Sequence, residues 1–310
     1  MVHQGRLDGN QALYPRVDLE ACLISQTHLL TILKSRLHLV AVERFTKMAQ
    51  STFSMTQHGR SEPFELQVSR GQVPYHAPAN IFAYGTTPAT AGLFRTVWEN
   101  MATADYVFPS SASTLTLVST VNTDTATITI SGLDASYNLL SENLALNGTT
   151  NVTTANSYFR INNIAVSVGS ATNPTGVVTL SGGGNIYAQI NTTTVSGSTT
   201  SIGVSQMGVY TVPTGYTFYG WRYGAYSSFN GNTANYTTYR AITNASSGVQ
   251  RVIVQTPFNT NYEVQRHYPF PYAAGTDLRF QIASSANTAA VVSVNIGGIL
   301  IANDGTAQGY

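Results

Sequence analysis

The sequence predicts an all-β fold of antiparallel strands, and three observations carry that prediction. Between Ser113 and Val168 apolar and hydroxyl side chains alternate: Ala126, Ile128 and Ile130 are separated by Thr125, Thr127, Thr129 and Ser131. Successive strand residues point to opposite faces, so such a run buries one face and wets the other. Turn residues break the runs at short spacing, at Asn122-Thr123-Asp124, Gly132, Asp134-Ala135-Ser136 and Asn147-Gly148, the last a strong hairpin signal. Charged residues are only 9% of the 310, while apolar residues are 43%, so the chain can bury a large core yet must be wetted by Ser, Thr, Asn, Gln and Tyr.

In chain order, residues 1–47 stand apart. Both lysines (Lys34, Lys47) and the only cysteine (Cys22) lie there, with a net charge of +2 against −1 for residues 48–310. Leu19, Cys22, Leu23, Leu30, Leu33, Leu37 and Val40 follow a helical stripe. Asp18, Glu20, His28 and Lys34 spoil a secretion signal or a membrane span. Met48 offers a natural start, so 1–47 reads as a leader, either an upstream over-extension of the reading frame or a helical or disordered segment. Residues 48–112 read as an arm with the first strands. Phe64, Leu66 and Val68 alternate with polar residues as a short strand, and Pro74, Pro78 and Pro88 with Gly71, Gly85 and Gly92 then make an irregular passage.

Two antiparallel β-sandwich or jelly-roll-like domains come next. The first spans 113–190 and takes strands from 61–112; a polar linker, NTTTVSGSTTS, covers 191–201. The second spans 202–302, and 303–310 form a tail. Apolar parity slips at Asn162-Asn163 and again at Gly297-Gly298, which predicts a β-bulge at each. Gly182-Gly183-Gly184 lacks the Lys-Ser/Thr of a phosphate loop and reads as a turn.

Little of the chemistry-bearing inventory is arranged for catalysis. The six histidines show no HxH, HExxH or CxxC context, so no metal site and no cofactor are expected. Asn122-Thr123-Asp124 lacks the other positions of a calcium loop. Asp134 and Glu142 flank a turn and could be read as a glycosidase pair, but with ten acids spread over residues 48–310 a solvated turn is the reading expected. The net charge of +1 gives no argument for nucleic acid or a membrane.

The richest cluster is aromatic. Tyr219, Trp221, Tyr223, Tyr226 and Phe229 lie in or just after the strand YTFYGWRY (216–223), whose two parities both carry rings. One face is expected in the core, and the other as a subunit interface or a glycan-binding face, because interfaces and sugars both favour exposed rings.

Several phrases, FELQVSRGQV (64–73), FRTVWEN (94–100), GLDASYNLLSE (132–142), LNGTT (146–150) and SYFRINNI (157–164), resemble a family of virion structural proteins of tailed bacteriophages, marine and cyanobacterial ones above all. The likeness covers residues 61–301 and lies in β-domain texture. It implies a non-enzymatic head-decoration, tail or fibre subunit, made in the host cytoplasm and placed in the virion. Its partners would be copies of itself and other virion proteins. The alternative is a carbohydrate-binding module that recognises a host-surface glycan.

Overall fold

Alternation of buried and exposed residues dominates the computed structural model, which describes residues 62–195, 198–229, 235–244 and 249–303. The chain divides into units 1–63 and 64–310, and the second holds every helix and strand among the described residues. The leader 1–47 and the start of the arm lie outside the described residues.

The segment Phe64–Ser69 is a helix, α1, and not the expected strand. Three alternating apolar residues also fit one helical turn, and the chain here has a helix stop. Gly71 adopts φ +67°, its N–H bonds the Val68 carbonyl at 2.9 Å, and Gln72 N–H bonds the Gln67 carbonyl at 2.9 Å. That pair of bonds is the Schellman arrangement, which needs a residue tolerant of positive φ. Only Val68 of α1 is buried.

The strands then run β1 (His76–Thr86), β2 (Arg95–Thr96), β3 (Thr116–Ser119), β4 (Thr127–Leu133), β5 (Leu139–Ala145), β6 (Val152–Thr153), β7 (Arg160–Val166), β8 (Val178–Gly182) and β9 (Asn185–Ile190). They continue as β10 (Thr192–Val195), β11 (Ser198–Ser201), β12 (Val209–Thr211), β13 (Tyr216–Ser227), β14 (Thr237–Asn244), β15 (Gln250–Phe258), β16 (Asn261–Tyr272), β17 (Asp277–Ser284) and β18 (Val291–Ala302). All strand pairings among the described residues are antiparallel, in agreement with the all-β antiparallel character expected.

Two sheets organise the larger body, β1-β18-β13-β16 and β12-β17-β14-β15, with β2 also on β17. Cross-strand rows show how the first sheet fills the core: Ile81, Ile296, Tyr223 and Val264 form one row, and Ala83, Val294, Ala225 and Tyr262 the next. Across the gap Tyr239 of β14 meets Tyr262 at 5.8 Å between rings, and Tyr210 of β12 meets Phe218 of β13 at 5.9 Å.

The passage with Pro78 and Gly85 is thus an eleven-residue strand, and it pairs with β18 instead of joining the 113–190 domain. Pro78 is tolerated because β1 is an edge strand and its nitrogen faces the unpaired side. Gly85 is required by contact, since a Cβ there would lie 2.5 Å from the Trp98 carbonyl oxygen.

Strands β2 and β12 lie end to end along β17. Val97 N–H bonds Phe280 O at 2.9 Å, Phe280 N–H bonds Gly208 O at 2.8 Å, and Gly208 N–H bonds Val97 O at 2.6 Å. One strand position is therefore interrupted, and residues 98–207 form a body inserted within it. That body holds the sheets β6-β3-β8-β9 and β5-β4-β7 and the hairpin β10-β11. The polar tract expected to be a linker is mostly this hairpin, because a backbone ladder can form between Thr- and Ser-rich strands that have little apolar surface to bury.

The bulge expected at Asn162-Asn163 is present: Ser131 pairs with Asn163 and Gly132 with Ile161, so Asn162 is the extra residue. The second expected bulge sits on the neighbouring strand. Gly220 pairs with Gly298 and Arg222 with Gly297, leaving Trp221 unmatched, while β18 stays in regular register with β1. Asn147-Gly148 turns the chain but joins β5 to β6, which belong to different sheets. Gly182-Gly183-Gly184 is the β8–β9 turn, as expected.

Asp124 ties the inserted body's loops together. Its carboxylate accepts from Ser119 Oγ (2.6 Å), Thr175 N–H and Oγ1 (both 2.9 Å) and Gly176 N–H (2.9 Å), and its carbonyl takes Gly148 N–H at 2.8 Å. Burial alone would raise its pKa, but the bonds from Ser119, Thr175 and Gly176 outweigh burial and hold it below the ordinary value. A depressed carboxyl stabilises the fold above its unfolded pKa, and that contribution disappears as pH falls through the folded value. Asp124→Asn keeps one acceptor and turns an NH2 toward the donors, so it should cost about 2–3 kcal/mol at neutral pH. It should also flatten the acid side of the stability profile, as measured by denaturant unfolding at pH 7 and pH 3.

Candidate functional site

The bulge at Trp221 decides where the aromatic residues of β13 go. Before it, even-numbered Tyr216, Phe218 and Gly220 face the core; after it, odd-numbered Tyr223 and Ala225 do. An extra residue in one strand reverses which side chains face in. Tyr223 is therefore fully buried, with its hydroxyl 2.8 Å from that of Tyr272, and it cannot offer a binding face as expected. Tyr219 and Trp221 are half-buried, Tyr219 opposite Ile299 and Pro271. Phe229 packs against the core. Of the five candidates only Tyr226 is well exposed, at 44%.

Tyr226 has neighbours that plain sequence reading did not associate with it. On the outer face of the first sheet Tyr84, Ser293, Tyr226 and Asn261 form one cross-strand row, and Phe82, Asn295, Gly224 and Glu263 form the next. Phe82 is 44% exposed and Tyr84 43%, and exposed Val291 lies beside Tyr84's row. Small residues at Ser293 and Gly224 leave the rings standing free, with Tyr84 and Tyr226 about 10 Å apart across two strand spacings. Charge on this face is confined to the exposed Arg222–Glu263 pair, with Arg222 Nε 2.6 Å from Glu263 Oε1. The signal was in the sequence, as Phe82 and Tyr84 alternating with Ile81 and Ala83, but the prolines and glycines around them masked a strand.

Beside this face a cleft of about 550 Å3 follows the free edge of β1. Ala77 to Phe82 form one wall; Asn162, Asn163, Ser205, Met207, Val209 and Tyr210 form the other. The second wall is placed by the junction with the inserted body. Arg160 of β7 makes a buried two-point pair with Asp277 of β17, Nε–Oδ1 2.9 Å and Nη2–Oδ2 3.0 Å, and its guanidinium lies 3.9 Å from the Phe159 ring centre. Thr211 Oγ1 donates to the same Asp277 at 2.6 Å. Two residues on, the bulge aims the Asn162 amide at β12, where it donates to Thr211 O at 3.2 Å and accepts Thr211 N–H at 3.0 Å. Ser205 Oγ donates to Asn163 Oδ1 at 2.8 Å.

The other acidic candidates are held by nearby hydrogen bonds, although Glu142 Oε1 is buried without a partner among the described residues. Asp134 accepts from Ser136 N–H, Asn138 N–H and Asn138 Nδ2, closing its own turn. Glu142 accepts both nitrogens of Asn156. The two carboxylates thus serve separate local networks. Among the described residues no three His, Cys, Asp or Glu side chains converge as metal ligands, and no helix is long and apolar enough to cross a membrane.

One carboxyl stands out. Glu99, in the turn where the chain leaves for the inserted body, accepts Gln206 N–H from the irregular segment that returns, and Gln206 O accepts Tyr84 N–H at 3.5 Å. The other Glu99 oxygen is buried with no protein partner. Burial pushes its pKa from 4.5 up to about 8, against a smaller opposing effect of backbone bonds from Gln206 and Glu99 itself. The folded chain then holds a proton that the unfolded chain releases. Stability should fall as pH rises from about 4.5 to about 8 and level off above. Glu99→Gln should match the native protein near pH 5 and exceed it at pH 9, measured by thermal or denaturant unfolding.

Comparison with known proteins adds similarity without an inference. No protein-family profile and no curated protein sequence matches the chain. Among solved structures it is similar to infectious bursal disease virus, Gt strain (12% identity over 78% of both chains, TM-score 0.17), and Gx strain (12%, 80% of this chain and 79% of that one, 0.20). It is also similar to the VP2 subviral particle of that virus (9%, 79% and 78%, 0.18). At such TM-scores these likenesses carry no argument about fold or role.

Proposed function

We propose that the chain is a non-enzymatic subunit of a tailed-bacteriophage particle, a head-decoration or a tail or fibre component, that works by packing against copies of itself and neighbouring proteins. The observation that carries this reading is the outer face of the first sheet, where Phe82, Tyr84 and Tyr226 stand exposed on a nearly uncharged surface. Rings of this kind, with little charge to desolvate, are what interface cores select. Strand order supports it. With β2 and β12 counted as one strand, the eight strands run 1-8-3-6 and 2-7-4-5, the order of a double-sheet jelly roll. Shell proteins of viruses use that architecture, and so do lectins.

A carbohydrate-recognition reading has its own observation. Exposed Tyr236 lies with Thr238, Gln255, Pro257 and Asn259 around an open, uncharged cleft of about 430 Å3 on β14 and β15. Flat rings beside amides suit neutral sugars. The particle reading ranks first because its aromatic face is larger and lacks convergent hydrogen-bonding groups.

Light scattering across a concentration series tests the choice. The native chain should self-associate, and Tyr84→Ser with Tyr226→Ser should weaken that association at least tenfold, about 1.4 kcal/mol, with an unchanged melting temperature. A chain that stays monomeric at every concentration and also fails to bind purified particles would overturn the particle reading.

A further inference from the structure

One edge of β1 is open inside the cleft beside it, and register identifies the groups concerned. Thr87 N–H bonds Ala290 O at 2.8 Å beyond one end of β1, and Ala302 N–H bonds Tyr75 O at 2.9 Å beyond the other. Bonded and non-bonded pairs alternate in an antiparallel ladder, so odd-numbered residues of β1 bond β18. Even-numbered residues turn their N–H and C=O to the opposite side. There Tyr84 N–H meets Gln206 O, and among the described residues nothing pairs with the backbone of Asn80 or Phe82. Pro78 adds a carbonyl but no N–H. These groups face the cleft of about 550 Å3, whose lining includes Met207, Leu300, Asn163 and Ser205 and no charged side chain.

The geometry points to a strand-binding site: an extended, uncharged segment of a neighbouring protein chain adds to β1 as a further strand along Pro78–Phe82. Donors and acceptors recurring at every second residue along one edge match only another extended backbone. The interface is already begun within the chain, because Gln206 O occupies the partner position at Tyr84 and the guest continues that line. The wholly uncharged lining restricts the guest, since Lys, Arg, Asp or Glu side chains would lose their water there without a counter-charge. The cleft's length admits about five residues at ~3.3 Å each. Its far wall, Asn163, Ser205 and Met207, also shields an edge that would otherwise pair unselectively.

The site goes beyond the particle reading and is tested on the full chain in solution, so the two can fail separately. The probe is an acetylated and amidated Thr-Val-Thr-Val-Thr peptide, with two versions N-methylated on alternate sets of amides. In hydrogen exchange resolved by NMR, saturating peptide should slow the Asn80 and Phe82 amides about tenfold or more, leaving odd-numbered amides of β1 unchanged. One methylated version should lose binding and the other keep it, because only one set of peptide amides can face β1. Asn80→Pro removes a donor that bonds nothing in the fold, so it should weaken binding roughly tenfold at an unchanged melting temperature. If Asn80→Pro disturbs folding, the methylated peptides on the native chain decide alone. Absence of protection at Asn80 and Phe82 would overturn the proposal. Equal binding by both methylated peptides would also overturn it, since the cleft would then hold side chains or small molecules without adding a strand.

Discussion

Everything in the larger body is arranged around a single strand position that the chain fills twice. Residues Arg95–Thr96 and Val209–Thr211 share the flank of β17, and the bonds among Val97, Phe280 and Gly208 close the break. The inserted body must leave and return at one point of a ladder. Gly208 is required there, because a Cβ would lie 2.7 Å from the Val97 carbonyl oxygen. Two crossings so close together act as a pivot unless something else holds the body in place. The Arg160–Asp277 pair does so, fixing β7 against β17 from a second direction.

That pair is better read as orientation than as net stability. Two desolvated charges recover their cost only with full hydrogen bonding, and here the guanidinium also donates to the Phe159 and Pro109 carbonyls while Asp277 accepts Thr211. The consequence is geometric. With Arg160 placed, Asn162 and Asn163 come two and three residues later, and the wall opposite β1 is set. The exposed ring face and the cleft share Phe82 as a common border, so the same junction that holds the inserted body also shapes the surface offered to other molecules.

Local periodicity made much of the β architecture legible from residue order. Ala126–Ile130 and Val292–Ile296 alternate in the chain and alternate in burial. The slip at Asn162 and the glycine turn after β8 were equally readable, since each is written in a few adjacent residues. Pairing was not readable. β1 reaches β18 across more than 200 residues, and its Pro78 and Gly85 looked like loop punctuation because an edge and a close backbone approach exist only once the sheets are formed.

The site shows the same division. Residue order determined that aromatics would crowd Tyr216–Phe229 and that the surface would be poor in charge. Only the tertiary structure decided which rings face out. One unmatched residue, Trp221, reverses the parity of β13, sends Tyr223 into the core and leaves Tyr226 beside Tyr84. The cleft was beyond any side-chain pattern, because the groups that define it are the N–H and C=O of Asn80 and Phe82. Every residue carries those groups, and whether they are free depends on which strand lies alongside.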